Sequence, residues 1–154
     1  MPDYGHSLDF GVFITPSNAP AHTPVERALL AEDLGFDLAT FQDHPYQPTF
    51  HDTWTLMSWV AASTTRLRLA GNVLNLPLRR PVVLARSVAS LDLLSGGRIE
   101  LGLGAGAFWD AIEAMGGTRL TPGEGVTALG EALEIIRGVW DASESSPLRV
   151  DGTF

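Results

Sequence analysis

Residues 66–106 read RLRLAGNVLNLPLRRPVVLARSVASLDLLSGGRIELGLGAG, and the order of features in them decides the fold. Leu67–Val73 is a short run, apolar on both faces. A turn carrying Pro77, Arg79 and Arg80 follows, Pro81 opens a helix-like stretch, and Gly96-Gly97 sits where that helix should stop. A second apolar run, Arg98–Gly104, comes next. Strand, turn, helix, strand is a βα unit leading into another. Strands apolar on both faces are those of a parallel sheet covered by helices.

The same pattern extends outward in both directions. Leu8–Thr15 and Phe36–Gln42 are two earlier apolar runs, and the four starts are spaced by roughly thirty residues, the length of a βα unit. Helix starts are well signed. Thr23-Pro24-Val25-Glu26 and Thr121-Pro122-Gly123-Glu124 each combine a Thr N-cap, Pro at the first helical position and Glu three residues on. Asp52 or Thr53 caps the second helix, and Gly35 ends the first. In the last helix Val126, Leu129, Leu133, Ile136 and Trp140 recur at helical spacing, which predicts that this stripe faces the core. The reading is four βα units, then a tail, Leu148–Phe154, that resembles the start of another strand.

Alternating strands and helices mean an α/β fold with a parallel sheet. A doubly wound sheet would place a Gly-rich phosphate loop after its first strand, but here that turn is Pro16-Ser17-Asn18-Ala19-Pro20. The pattern therefore favours a barrel-type α/β arrangement, in which sites are built from several strand ends.

Composition narrows the function. The chain has 154 residues, of which 45% are hydrophobic and 18% charged, with net charge −8. That suits a folded domain and excludes a disordered one. There is no cysteine, so disulfides, thiolate metal sites and cysteine nucleophiles are excluded. All ten basic residues are Arg, and they do not cluster, so nucleic acid is not an expected partner. No apolar run reaches bilayer length and the first residues do not form a signal peptide. A soluble, cytoplasmic chain that binds no membrane is the expectation.

Barrel sites lie at the C-terminal ends of the strands. Those ends gather Asp43, His44, Asn72, Asn75 and the Gly102–Gly106 segment. His44 can donate or accept a proton near neutral pH. Asp43 can orient His44 or accept from a backbone amide. Gly102-Leu103-Gly104-Ala105-Gly106 can let a flat ring approach the backbone or simply make a tight turn. Phe108 and Trp109 can wall a pocket or join the core. Arg79-Arg80 can pair with a phosphate or carboxylate at the rim, but reads first as an exposed loop pair. His6, His22 and His51 have no such placement, no histidine pair has metal-ligand spacing, and no metal is expected. There is no G-x-S-x-G, H-E-x-x-H or P-loop.

Taken together, FGVFITP, the run into FQDHPYQPTFHDTWTL, residues 66–106 and FWDAIEAMGG resemble the bacterial luciferase-like monooxygenases, flavin- or deazaflavin-dependent (β/α)8 TIM-type barrel oxidoreductases, which implies that residues 1–154 are about the first four βα units of such a barrel domain. The ordered set QDHPY, NLPLRRP and SGGRIELGLGAG carries the resemblance. It implies a cofactor ring, from reduced FMN or coenzyme F420, lying over the strand ends. His44, with Asp43, would be catalytic; Asn72, Val73, Asn75, Gly104, Ala105 and Gly106 would contact the cofactor. A non-proline cis peptide is implied at Asn72-Val73. With FMN the activity would be monooxygenation of a small organic molecule, and with F420 hydride transfer. An inert or merely flavin-binding half-barrel is the remaining alternative. A barrel interior needs side chains from eight strands, about twice what is read here. The chain is therefore expected to be a truncated product or partial gene, or to associate with itself or with a complementary second half-barrel.

Overall fold

The structure, a computed structural model, describes Gly5 and residues 7–143 and 145–154. Its elements in order are β1 (Gly11–Ile14), α1 (Thr23–Asp33), β2 (Leu38–Phe41), α2 (Thr53–Ser63), β3 (Arg68–Gly71), β4 (Leu74–Asn75), a 3-10 turn (Leu76–Leu78), α3 (Pro81–Ser95), β5 (Ile99–Glu100), β6 (Leu103–Gly104), α4 (Trp109–Ala114) and α5 (Pro122–Trp140). β1, β2, β3 and β5 pair in parallel in chain order, and β4 pairs with β6 just beyond them. Each of the runs Leu67–Val73 and Arg98–Gly104 is thus interrupted: pairing stops at Gly71 and Glu100 and resumes at Leu74 and Leu103.

Alternation along the strands divides the sheet into two faces. Ile14, Ala39, Phe41 and Leu69 turn one way and are buried with Val25, Ala28 and Ala31 of α1 and Leu56, Met57 and Val60 of α2. A second cluster joins Leu74 to Leu84, Ala85 and Val88 of α3 and Ile136 of α5. Among the described residues no helix covers the opposite face. The register aligns Phe13, Thr40, Ala70 and Glu100 across it, and Gly11, Leu38 and Arg68 in the row below. Arg68 pairs there with Asp9 and Glu100, while Phe13 is 54% exposed.

Two charged side chains tie the other end of the sheet. Arg98, from the SGGR stretch, donates to the carbonyls of Ala61 (2.7 Å), Thr64 (3.2 Å), Leu67 (2.9 Å) and Ser95 (2.8 Å) and to Thr64 Oγ1 (3.0 Å). It satisfies carbonyls that the end of α2 would otherwise leave open. The Glu32 carboxylate accepts from three consecutive backbone N–H groups, of Thr65, Arg66 and Leu67. Burial raises its pKa, those donors more than reverse this, and the carboxyl lies below its ordinary value.

Several expectations need correction. Thr121 forms its capping box with Glu124, and Asp52 caps α2 by accepting from Thr55 N (2.8 Å). Thr23 does not cap α1. Its N–H bonds Pro20 O (3.2 Å), so the preceding turn has already placed Thr23 inside the helix, and His22 is the N-cap without a side-chain bond. The buried face of α5 is Gly125, Ala132 and Ile136. Of the predicted stripe Ile136 is buried as expected, whereas Val126 is 68% exposed and Leu133 37%. Trp140 is 40% exposed, though its Nε1–H reaches Ala85 O (2.9 Å). Residues 148–154 form no strand; the Thr153 and Phe154 N–H groups instead bond Glu131. The short helix α4 is an addition to the four-unit reading.

Candidate active site

The loops after β1 and β2 are fastened together before any site residue is placed. Asn18 N donates to Thr49 O (2.9 Å) and its side chain to Pro48 O (2.9 Å). His51 N reaches Pro16 O (2.7 Å), and the His51 ring nitrogen lies 2.8 Å from Ala21 O. His51 therefore serves the loops; His6 lies outside the described residues. Thr53 Oγ1 donates to Gln42 O (2.7 Å), anchoring the end of β2 to the start of α2.

On this frame His44 sits half-buried in a group of rings. Its centroid is 5.4 Å from Tyr46, stacked, 5.3 Å from Phe108, edge-on, and 6.4 Å from Phe50. Phe108 is the αL N-cap of α4, with φ +38, and stays 63% exposed. A bulky residue seldom adopts that conformation; here it lays the ring over His44 and Tyr46. Burial, then the Asp43 carboxylate, push the Tyr46 hydroxyl above its ordinary pKa.

Asp43 is buried, and its carboxylate is committed away from His44. Oδ2 accepts from Asn75 N (2.9 Å) and Arg79 Nε (2.7 Å), and Oδ1 accepts from Arg79 Nη2 (2.8 Å). Of the two roles open to Asp43 from sequence, the geometry is that of a backbone-amide acceptor. For Arg79 the favoured exposed-loop reading gives way to the other one open from sequence, pairing with a carboxylate at the rim: its side chain is 16% exposed and also reaches Asp52 Oδ1 at 3.1 Å. Burial works against its charge, and the Asp43 and Asp52 carboxylates outweigh that, so its pKa lies above the ordinary value. The signal available in sequence was an apolar strand ending in an Asp that lacked a nearby cation.

The break between β3 and β4 is a bulge. Asn72 N continues the β2 pairing to Phe41 O (2.7 Å), Leu74 N continues toward Gly102 O (2.8 Å), and the Asn72-Val73 peptide between them is cis. Val73 projects 46% exposed. The glycines opposite serve this bulge. A Cβ at Gly104 would strike Val73 Cγ2, and one at Gly102 would strike the Gly71 carbonyl oxygen. Gly106, at φ +104, would press a Cβ to 2.7 Å from Pro77 Cγ. A Cβ at Gly104 or Gly106 would thus meet the chain's own Val73, or Pro77 and Trp109. Ala105 and its neighbours still end the strand without a large side chain.

Asn75 closes the set. It is 7% exposed, its N–H is held by Asp43, and its Oδ1 is buried with no hydrogen-bond partner. Buried polar atoms are rarely left so, and an unused acceptor is what a ligand donor such as a ring N–H would complete. The bulge at Val73, the aromatic wall and this orphan atom fit a flat heteroaromatic group. Among the described residues no cluster of three or more His, Asp or Glu could hold a metal ion, and no helix is long and apolar enough to cross a membrane.

The chain is similar in sequence and fold to known proteins. A family model described as luciferase-like monooxygenase matches residues 8–154. An uncharacterized protein of Mycobacterium tuberculosis is 36% identical over 149 residues, covering 96% of this chain and 49% of that protein. An F420-dependent glucose-6-phosphate dehydrogenase of Kribbella flavida is 34% identical over 136 residues, covering 84% of this chain and 40% of that protein. Among solved structures, the oxygenating constituent of 3,6-diketocamphane monooxygenase from Pseudomonas putida, in complex with FMN, aligns with TM-score 0.78 at 24% identity. It covers 96% of this chain and 42% of that one. The chain spans about half the length of these proteins and matches the N-terminal half of their barrel. With its strand-end rim, its bulge and its matched sequence, the chain belongs to the luciferase-like monooxygenase family.

Proposed function

We propose that the chain builds the N-terminal half of the site of a flavin-dependent monooxygenase, which holds a reduced flavin ring against the Asn72–Asn75 bulge and a small organic substrate beside it. The observation that carries this is the buried, unpartnered Oδ1 of Asn75 next to the projecting Val73. When bound, reduced FMN supplies the electrons that activate molecular oxygen; coenzyme F420 would instead supply a hydride.

The chain's own residues do the rest. Asn75 accepts a hydrogen bond from the ring, and Val73 supports one ring face. Tyr46, Phe50 and Phe108 exclude water around the reacting atoms. The His44 imidazole, set among them, holds or delivers one proton. Asp43 fixes the Asn75 backbone while this happens.

The F420 reading is kept as a second one because a 34% identical relative carries that coenzyme in its name. Fluorescence titration of the whole chain with FMN and with F420, both oxidised, separates the two. Saturable binding of FMN at the lower concentration supports the monooxygenase reading. Saturable preference for F420 moves the function to hydride transfer. Saturation by neither ring removes the proposal.

A further inference from the structure

Arg79 is tied to more elements than any residue of the rim. Its guanidinium joins the carboxylate at the end of β2 to the 3-10 turn that carries it, and through Nη2 to the N-cap of α2. Asp43, the only buried carboxylate among the described residues, passes that grip to the Asn75 N–H of β4. Asp43 also precedes His44 in the chain. One ion pair therefore sets the spacing between the strand end that bears His44 and the strip that bears Val73 and Asn75.

We propose that Arg79 is a positioning residue for this site, acting through Asp43 on His44 and on the Asn72–Asn75 bulge together. The inference rests on the reading of the site as a ring-binding one and deepens it.

A stabilising role alone accounts poorly for the pair. A buried ion pair is often no better for stability than a neutral packing of the same volume. What a neutral packing lacks is direction. The guanidinium is a planar fork that meets a carboxylate with two parallel donors, here Nε on Oδ2 and Nη2 on Oδ1. That fixes the plane of the Asp43 carboxylate, and so the line along which Oδ2 receives the Asn75 N–H. With its N–H held, Asn75 keeps its Oδ1 in place although nothing in the chain bonds it. The second grip, on Asp52, fixes the fork itself, since Asp52 is held by both the N–H and the hydroxyl of Thr55.

The test compares four variants of the whole chain with the wild type: Arg79→Met, Arg79→Lys, Asp43→Asn, and the double variant Asp43→Asn with Arg79→Met. Three quantities are read: the thermal midpoint, the affinity for FMN and F420 by fluorescence, and the NMR positions of the Val73 and Asn75 amides and the His44 ring. Arg79→Met leaves a buried carboxylate unpaired and should lower the midpoint. The double variant removes both charges and should recover most of that loss. Ring affinity should stay about tenfold weaker in the double variant, the size typical of groups that act together. Arg79→Lys restores charge without the fork and should recover the midpoint but not the affinity.

If affinity returns with the midpoint in the double variant, Arg79 only stabilises and the inference is overturned. If the wild type binds neither ring, the functional reading has failed, and the NMR positions decide the inference by themselves. Displaced Val73, Asn75 and His44 signals in the refolded double variant uphold the positioning role; coincident signals overturn it.

Discussion

At the scale of single residues, the glycines of the LGLGAG stretch and the polar residues of the rim divide the work differently from what their types suggest. Gly102 and Gly104 leave room for the chain's own bulge. Gly102 is the stricter of the two because the obstructing atom is a backbone oxygen, Gly71 O, which cannot rotate away. Gly102→Ala is expected to destabilise the fold by about 1–3 kcal/mol, the range for overpacking, as measured by denaturant unfolding. A substitution with no measurable cost would mean that the bulge is not where it is described. Asp43 and Arg79 show why the site was only partly legible. The Asp, the His and the two Asn could be found because polar residues end apolar strands. Their pairing could not, since Arg79 lies thirty-six residues beyond Asp43 and only the closed fold brings a guanidinium into a buried position there.

At the scale of elements, the repeating strand and helix pattern was legible because it rests on local periodicity and on end signals that act over three or four residues. It failed where a tertiary or neighbouring turn overrode the local signal. The two T-P-x-E motifs are identical in type, yet Thr121 caps its helix and Thr23 lies inside its own. Thr121→Ala should therefore cost about 1 kcal/mol, while Thr23→Ala should stay within about 0.5 kcal/mol of the wild type. Equal losses in thermal or chemical denaturation would contradict this assignment. The stripe predicted for α5 holds only in part: Ile136 is buried, with Gly125 and Ala132 beside it, while Val126 and Leu133 face outward. Glu32 gives a pH dependence at the same scale. Its carboxyl is held below the ordinary value of 4.5 in the folded chain. Its contribution is then complete above the unfolded pKa and is lost as pH falls through the folded one. Stability of Glu32→Gln relative to the wild type should be lowest near neutral pH, with the difference shrinking in acid. A difference independent of pH would show that the ionised carboxylate is not what the three amides hold.

At the scale of the whole molecule, the parallel sheet is covered by helices on one side, carries the rim at its strand ends, and matches the N-terminal half of longer barrels. The sheet face without helices carries Phe13 and the Arg68 ion pairs, and α5 presents Val126 outward. Relatives of about twice this length have chain enough to cover both surfaces. The same surfaces are where self-association or a complementary half-barrel would act. Sedimentation velocity at micromolar concentration is expected to show species heavier than the 16.5 kDa chain, and a purely monomeric profile would count against that expectation. Isotope-labelled whole chain titrated with millimolar FMN, and separately with F420, reports where a ring docks on the rim even when binding is weak. Amide and ring shifts are expected to concentrate at His44, Val73, Asn75 and Ala105, moving together with one saturation curve. Shifts scattered over the helices, or none at the bulge with either ring, would contradict a ring-binding rim.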